Sequence, residues 1–426
     1  MSHSAATPHR AIRARILTPL ADGSTRFLPD GVLHLDGARI GAVEAWDPSS
    51  LSQPRVHEAG PLLDLRHCVL VPGFVDTHVH YPQTRVIGSA SGPLLDWLKR
   101  TVFPEEARFR DGNYARAVAA ELTGRLLAAG TTTAAIFSSS SPHATDTLFA
   151  ALDAAGLRGL AGLTLMDRAC PDALSLPAEE ALAACERLIA RWHGHDAGRL
   201  GFAITPRFAL SCSRPLLEGA ARIARAHGLL IQTHIAENPA EGVAVLEAHP
   251  WARDYLGVYE ETGLIGPRTL LAHAIHLSPS EWDRAAAAGA AVAHCPDSNF
   301  FLGSGRMRLV EARDRGIRVG LGSDVAAGRS FDMRRAMAHA YDNALCLGER
   351  MTPAALLRLA TLGGAEALGL DGVTGSLEAG KEADFVALRL PEYATDEEAI
   401  LGLIAFADVG RVERVFVRGR AVHFAS

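Results

Sequence analysis

Two histidines separated by a single residue close an apolar stretch, 69–80, in the sequence DTHVH. Residues at positions i and i+2 of a β-strand point to the same face, so His78 and His80 can present their imidazoles to one site. Two imidazoles on one face make half of a zinc or iron site. The spacing alone is also compatible with two ordinary polar residues at the end of a strand.

Three more polar residues close later apolar runs of the chain: His234, His273 and Asp324. Because the runs between them are apolar, His or Asp at four selected strand ends favours a shared metal site over chance. His273 is also compatible with a buried structural histidine. We expect it to hydrogen-bond to a metal-bound water or to the substrate rather than to ligate the metal.

Glu237 follows His234 by three residues. This spacing places a carboxylate beside a metal ligand while leaving it able to point elsewhere, as a general acid–base should. The alternative is a helix-start glutamate that the helix dipole favours, and beside a metal site the acid–base interpretation is preferred.

These residues close four of eight apolar, strand-like runs in the chain: 69–80, Thr131–Phe137, 157–165, 201–205, 229–234, Thr269–His273, 290–294 and 318–324. Amphipathic stretches such as 114–129, 179–191 and 215–227 lie between them. Strand alternating with helix in this way predicts an α/β fold, a (β/α)8 TIM-type barrel. Such barrels build their active sites at the carboxyl ends of the strands.

Both ends of the chain are typical of a different structure. The runs 32–35 and Arg39–Ala45 flank Asp36-Gly37, which suits a hairpin turn, and two β-rich runs, 384–390 and 412–418, lie near the C-terminus. We therefore predict a small β-sandwich domain formed from both termini, 1–68 and 372–426. The barrel is expected to span 69–371.

The chain contains only two lysines, Lys99 and Lys381. Binuclear barrel hydrolases commonly bridge two metals with a carboxylated lysine on a strand. Lys99 lies in a helix-like segment and Lys381 in a glycine-rich turn, so neither can serve this role. We expect a single metal ion.

Composition excludes several other classes of protein. The 426 residues are 48% hydrophobic, which is enough for a core and excludes a chain that is disordered overall. The chain has 42 basic and 48 acidic residues, and this lack of a basic excess argues against a nucleic-acid partner. Residues 1–15 lack the apolar region of a signal peptide, and the longest apolar run is far short of the ~20 residues that span a bilayer. Six scattered cysteines are typical of reduced thiols, and we interpret Cys212 and Cys295 as small buried hydrophobes. We expect a cytoplasmic protein with no membrane partner.

The chain resembles the mononuclear, metal-dependent deaminase branch of the amidohydrolase superfamily, and within that branch it resembles the guanine deaminase family. The matching motifs are PGFVDTHVHYPQT (72–84), LLDWLKRTVFPEE (94–106), TPRFALSC (205–212), THIAEN (233–238), AHCPDSNFFLGSG (293–305) and GLGSDVAAG (320–328). The HxH element marks only the superfamily. The YPQT, DWL…FPEE and PRF elements narrow the resemblance to guanine deaminases.

The resemblance implies a role for each residue of the site. The implied metal ligands are His78, His80, His234 and Asp324, the implied proton shuttle is Glu237, and the implied purine-binding positions are Gln83, Arg207 and Phe208 with Trp97 nearby. The metal would be Zn2+, with Fe2+ as the alternative, and the chain would form a homodimer. Phe208 or Trp97 could stack on the purine, but core packing explains both residues equally well.

The implied reaction is hydrolysis of guanine to xanthine and ammonia. A hydroxide activated by the metal would attack C2, Asp324 would accept its proton, Glu237 would protonate N3, and His273 would orient the hydroxide. Two alternatives stay open. One is a deaminase of a related amino-heterocycle, such as 8-oxoguanine, a pterin or an aminotriazine. The other is a catalytically inactive structural protein with the same barrel.

Overall fold

The computed structural model describes residues 11–47, 62–89, 92–407 and 409–425. Its strands are β1 (Ala11–Pro19), β2 (Thr25–Asp36), β3 (Arg39–Ala45), β4 (Leu62–Pro72), β5 (Phe74–His80), β6 (Thr131–Phe137), β7 (Arg158–Gly162), β8 (Thr164–Leu165), β9 (Leu200–Pro206), β10 (Leu230–Ile235), β11 (Thr269–His273), β12 (Ala291–His294), β13 (Arg318–Leu321), β14 (Phe385–Arg389), β15 (Arg411–Val417) and β16 (Arg420–Phe424). These strands form two sheets.

Eight strands form a parallel sheet in the order β5-β6-β7-β9-β10-β11-β12-β13, and the short β8 pairs with β9. The two ends of this sheet meet. The Asp324 amide donates to the carbonyl of His78 at 2.8 Å, and the His80 amide donates to the carbonyl of Val325 at 3.2 Å. The predicted barrel is therefore confirmed, and its closure lies beside the paired histidines.

Helices connect the barrel strands. They span Leu94–Trp97, Phe103–Ala107, Gly112–Ala128, Pro142–Ala155, Ala178–Trp192, His195–Gly198, Arg214–His227, Pro239–Ala248, Tyr255–Glu261, Pro279–Ala287, Pro296–Phe301, Leu309–Asp314, Met333–Cys346, Pro353–Leu359 and Leu362–Leu368, and a further helix, Glu397–Phe406, follows β14. A π-helical turn, Leu98–Val102, joins the first two.

Local sequence sets the ends of several helices. Ser141 and Ser213 cap their helices by accepting hydrogen bonds from the amides of Ala144 and Leu216, which satisfies donors that the first helical turn leaves free. A proline follows in the first turn of both helices, where its missing N–H is not needed. Gly156 and Gly228 end these two helices in the left-handed conformation that glycine adopts readily.

The remaining strands form one seven-stranded sheet in the order β16-β15-β14-β4-β1-β2-β3. Its pairs are antiparallel except for β1 and β4, which run parallel. Strands from both termini thus build a small β domain, as predicted, and it has a core of its own that includes Ile12, Leu70, Phe385 and Phe416. The expected sandwich is realised as a single connected sheet.

The predicted strand 69–80 is wrong in one respect, because the structure divides it at Gly73. Residues 69–72 belong to β4 and pair with β14 in the terminal sheet, whereas Phe74–His80 opens the barrel. Gly73 lies against Thr132, and a Cβ built at residue 73 would approach the Thr132 Oγ1 to 2.0 Å. The chain changes sheet where only a glycine fits. The division of the chain into 1–68 with 372–426 and 69–371 stays a prediction.

Of the N-terminal stretch 1–15, residues 1–10 lie outside the described part, and 11–15 begin β1. Among the described helices, none combines the length and the hydropathy needed to cross a bilayer.

We predict that Gly73→Ala destabilises the protein by about 1–3 kcal/mol, the usual range for overpacking in a tight core. The added methyl group would collide with the Oγ1 and Cγ2 of Thr132. Chemical and thermal unfolding should measure the loss. Gly372→Ala is the matched control, because no atom lies within 4 Å of a Cβ built there. Equal stability of the two variants would contradict this account of the strand junction.

Candidate active site

The carboxyl ends of the barrel strands bring the predicted polar residues together. His78 and His80 end β5, His234 lies near the end of β10, His273 ends β11, and Asp324 follows β13 by three residues. All five side chains are buried. His273 and Asp324 have positive φ angles of 71° and 48°, a conformation that costs such residues about 1–3 kcal/mol and is common at functional sites.

Three of these side chains, His78, His80 and His234, form one group of potential metal donors, and Asp324 contacts two of them. The Nε2 of His80 lies 3.1 Å from the Nε2 of His78 and 3.2 Å from the Nε2 of His234. The Oδ1 of Asp324 lies 3.3 Å from the Nε2 atoms of both His78 and His80. Three ring nitrogens therefore come together in a buried space, with a carboxylate oxygen beside two of them.

This donor set fits a divalent metal. Zinc binds imidazole nitrogen at about 2.0–2.1 Å, so neighbouring donors of a tetrahedral site are about 3.3 Å apart, close to the spacings observed. The Nδ1 of His234 donates to the carbonyl of Arg207 at 2.5 Å. Since a carbonyl only accepts, this contact leaves the Nε2 of His234 unprotonated and free to bind a metal.

The protonation of these groups also suits a metal. Burial lowers the pKa of His80 to about 3 and that of His234 well below its ordinary value, and neutral imidazole is the form that ligates. Burial alone would raise the pKa of Asp324, but hydrogen bonds with His78 and His80 lower it well below the ordinary value. His80 and His234 are therefore held as neutral imidazoles near an ionised Asp324.

His273 lies beside this cluster. Its Nδ1 is 3.0 Å from the Oδ1 of Asn299, and its Nε2 is 3.5 Å from the Oε2 of Glu237 and 3.8 Å from the Oδ2 of Asp324. Asn299 thus orients the ring through Nδ1, and Nε2 faces the carboxyl groups of Glu237 and Asp324. This geometry suits a hydrogen-bonding role.

Cys295 has its sulfur near His78, His273 and Asp324, within a group of potential donors. Burial raises the pKa of its thiol well above the ordinary value. The thiolate is the form that binds metals, so the structure supports its interpretation as a buried apolar residue. The described residues contain one further donor group, His67, Cys68 and Glu413, in the terminal sheet.

Glu237 is buried, and its Oε1 accepts a hydrogen bond of 3.3 Å from the hydroxyl of Ser304. Burial, together with the charges of Asp324 and Glu241, raises the pKa of Glu237 well above its ordinary value. The helix-start glutamate of this segment is Glu241, which forms a capping box with Asn238. Sequence reasoning missed Glu241, although its position three residues after Asn238 is a capping signal.

A cavity opens above the cluster. Its walls include all four residues expected to bind a purine: Gln83, Trp97, Arg207 and Phe208. Apolar residues that sequence reasoning did not single out, among them Leu94, Leu98 and Leu302, complete the walls. The indole Nε1 of Trp97 is buried and has no hydrogen-bond partner within the described residues. The cavity thus combines an apolar surround with a few polar groups, as small-molecule sites do.

Both lysines lie away from the cluster. Lys99 is exposed in the π-helical turn, and Lys381 donates to the hydroxyl of Ser376 at 2.6 Å in a turn that follows the barrel. Neither stands on a barrel strand, as predicted.

Comparisons with known proteins agree with this geometry. The model of the amidohydrolase family matches residues 69–422. The guanine deaminase of Escherichia coli is 36% identical over 409 residues, which cover 93% of this chain and 92% of that protein. The probable guanine deaminase of Deinococcus radiodurans is 43% identical over 373 residues, 84% of each chain. The chain belongs to the amidohydrolase family.

Solved structures show the same relationship. The E. coli guanine deaminase superposes with a TM-score of 0.92 at 34% identity, covering 98% of this chain and 99% of that one. The guanine deaminase of C. acetobutylicum, solved with guanine bound in its active site, gives a TM-score of 0.89 at 27% identity and covers 97% of this chain and all of that one.

Proposed function

We propose that this chain is a guanine deaminase, which hydrolyses guanine to xanthine and ammonia. One observation carries the proposal: Arg207 and Gln83, which offer hydrogen bonds to a purine, line the same cavity as His80, His234 and Asp324. The extended similarity to guanine deaminases, one of them with guanine bound, supports the same substrate.

We assign the metal ligands to His78, His80, His234 and Asp324, and we favour Zn2+ over Fe2+ because three imidazoles and one carboxylate suit zinc. A bound divalent metal would lower the pKa of a coordinated water to about 7 and so supply a nucleophile at neutral pH. The chain's residues then determine where the protons go.

Asp324 is placed to accept the proton of the attacking water. Its Oδ1 lies among the histidine nitrogens and its Oδ2 faces His273. The low pKa of Asp324 keeps it ionised and able to accept. His273 lies between Asp324 and Glu237, where it can hydrogen-bond to the oxygen that adds to C2.

Glu237 is placed to donate a proton to N3 of the ring. Its raised pKa favours the protonated form at the start of the reaction. Once N3 has taken that proton, the Glu237 carboxylate can accept the remaining proton of the oxygen added to C2 and deliver it to the leaving amine, and the proton held by Asp324 can then restore the acid form of Glu237. The hydroxyl of Ser304 holds the other carboxyl oxygen of Glu237 in place.

We further propose that the protein is cytoplasmic, acts in purine catabolism and forms a homodimer. All six cysteines are free, which agrees with a reducing compartment. The dimer rests on the family resemblance alone.

The first prediction from the proposed function concerns the metal. Purified protein should contain about one equivalent of divalent metal, and His78→Ala or His234→Ala should lose most of it, because each removes one of four converging donors. Elemental analysis measures the content. His67→Ala is the control and should keep the metal. Two tightly bound equivalents that are both required for activity would contradict a mononuclear site.

The second prediction concerns Glu237→Gln. This variant should bind the metal normally but lose activity by about 10²–10⁴-fold, the usual contribution of a positioned acid–base group, because glutamine cannot cycle a proton. Ammonia release from guanine measures the rate. Glu247→Gln, an exposed residue of the next helix, should be fully active. Near-normal turnover by Glu237→Gln would remove Glu237 from the mechanism.

The third prediction concerns substrate choice. Guanine presents a carbonyl at C6, whereas adenine presents an amine there, and the guanidinium of Arg207 can only donate. A site built to hydrogen-bond to a substrate group can discriminate by about 10⁴–10⁵-fold against an analogue that lacks this group, because the buried polar groups of the site are then left unpaired. Adenine and cytosine should therefore be negligible substrates.

In the same assay, Arg207→Ala should lower kcat/KM for guanine by at least about 100-fold while retaining the metal. The control is Arg214→Ala, because Arg214 is exposed and pairs with Glu218.

A panel with 8-oxoguanine, a pterin and an aminotriazine distinguishes guanine deaminase from the related deaminases. Preference for one of these, or no activity in metal-loaded protein, would contradict the proposal.

A further inference from the structure

A buried carboxylate, Glu106, lies behind the purine-binding wall of the cavity. It belongs to the short helix Phe103–Ala107, and only 4% of its surface is exposed. Glu106 contacts both polar residues of that wall, Arg207 and Gln83. Its two oxygens therefore reach residues that are far apart in the sequence.

The first contact orients Arg207. The Nη1 of Arg207 donates to the Oε2 of Glu106 at 2.6 Å, and both side chains are almost fully buried. The ring of Phe103, from the same short helix, lies 5.3 Å from the Cζ of Arg207. Within the described residues, the Nε and Nη2 of Arg207 donate to no protein acceptor. Glu106 thus neutralises the guanidinium and leaves N–H groups free for a ligand.

The second contact orients Gln83. Its Oε1 accepts a hydrogen bond of 3.2 Å from the amide of Ala326, and its Nε2 lies 3.5 Å from the Oε1 of Glu106. An amide N–H only donates and a carboxylate only accepts. Both neighbours therefore require the same orientation of the Gln83 side chain, which leaves its second N–H available at the cavity wall.

We propose that Glu106 is a positioning residue that selects purines with a carbonyl oxygen at C6. It acts through Arg207 and Gln83, which it holds so that both present donors to the ligand. The edge of guanine that carries O6 and N7 presents only acceptors, whereas the same edge of adenine includes an N–H donor. This inference rests on the proposed function, because it assigns that edge of the base to the wall formed by Arg207 and Gln83.

Replacing one oxygen of Glu106 by an amide nitrogen would conflict with this arrangement. In Glu106→Gln, an amide oxygen can still accept from Arg207, but the new NH2 group would then face the NH2 group of Gln83. Rotating the Gln83 amide would move the conflict to the N–H of Ala326. The buried guanidinium would also lose its neutralising charge, which is unfavourable in a low-dielectric site.

The test measures binding of two ligands that cannot be deaminated at C2. Hypoxanthine carries the C6 carbonyl and lacks the C2 amine, and unsubstituted purine lacks both. Wild-type metal-loaded protein should bind hypoxanthine about 10- to 100-fold more tightly, the range for hydrogen bonds to a charged group. In Glu106→Gln most of this preference should be lost, with metal content unchanged. Calorimetry measures both affinities.

Glu105→Gln is the matched control. Glu105 is the neighbouring residue, also buried, but it pairs with Tyr114 and Arg108 instead of the cavity residues. This variant should keep the wild-type preference for hypoxanthine. If Glu106→Gln does not fold, Glu106→Asp replaces it; the shorter carboxylate cannot reach both partners and should also reduce the preference.

Two outcomes separate this inference from the proposed function. An unchanged preference in the Glu106 variant, in a wild type that deaminates guanine, overturns the positioning role alone. A wild type that does not deaminate guanine overturns the proposed function instead.

Kinetics with guanine give a second readout. The substitution Glu106→Gln should raise KM more than it lowers kcat, because the contact between Glu106 and the purine-binding residues is remote from C2. An equal loss with both ligands would indicate a merely structural role and would contradict the inference.

Discussion

The site depends on one physical constraint: three imidazoles and a carboxylate must be held about 3 Å from one another in the buried interior of the barrel. A bound cation would stabilise this crowding of donor atoms, whose neighbouring spacings are 3.1–3.3 Å. The barrel provides this arrangement by closing on itself. Backbone hydrogen bonds of Asp324 and His80 join the last strand to the first, and buried Asp76 reinforces the junction by accepting from the amide and hydroxyl of Ser323.

The cavity above the cluster has two chemically different ends. At the floor, burial lowers the pKa of His80 and His234 and raises that of Glu237, which favours neutral imidazoles near a protonated carboxyl group. At the opposite wall, the guanidinium of Arg207 is paired with the carboxylate of Glu106. A neutral base can therefore meet strong hydrogen-bond donors without entering an unbalanced field. The fold therefore separates the groups to which we assign the chemistry from those to which we assign recognition of the substrate.

Much of this was predictable from the sequence, because strand ends and residue types are local signals. The spacing of His78 and His80 and the eight apolar runs indicated the barrel and the metal site, whereas the purine-binding positions came from a family resemblance. The change of sheet at Gly73 was not predictable, since it depends on contact with Thr132. Glu106 was visible within the motif FPEE, but the role that we propose for it depends on a partner 101 residues away, and no spacing rule joins two such positions.

The most direct test of this account is a crystal structure of the metal-loaded protein with hypoxanthine, using anomalous scattering to locate the ion. We predict one metal held by His78, His80, His234 and Asp324. We also predict that the C6 carbonyl of the ligand faces Arg207 and Gln83, with C2 directed to the metal. A metal bound elsewhere, such as at His67 and Glu413, or a ligand whose C6 carbonyl faces the metal, would contradict these predictions.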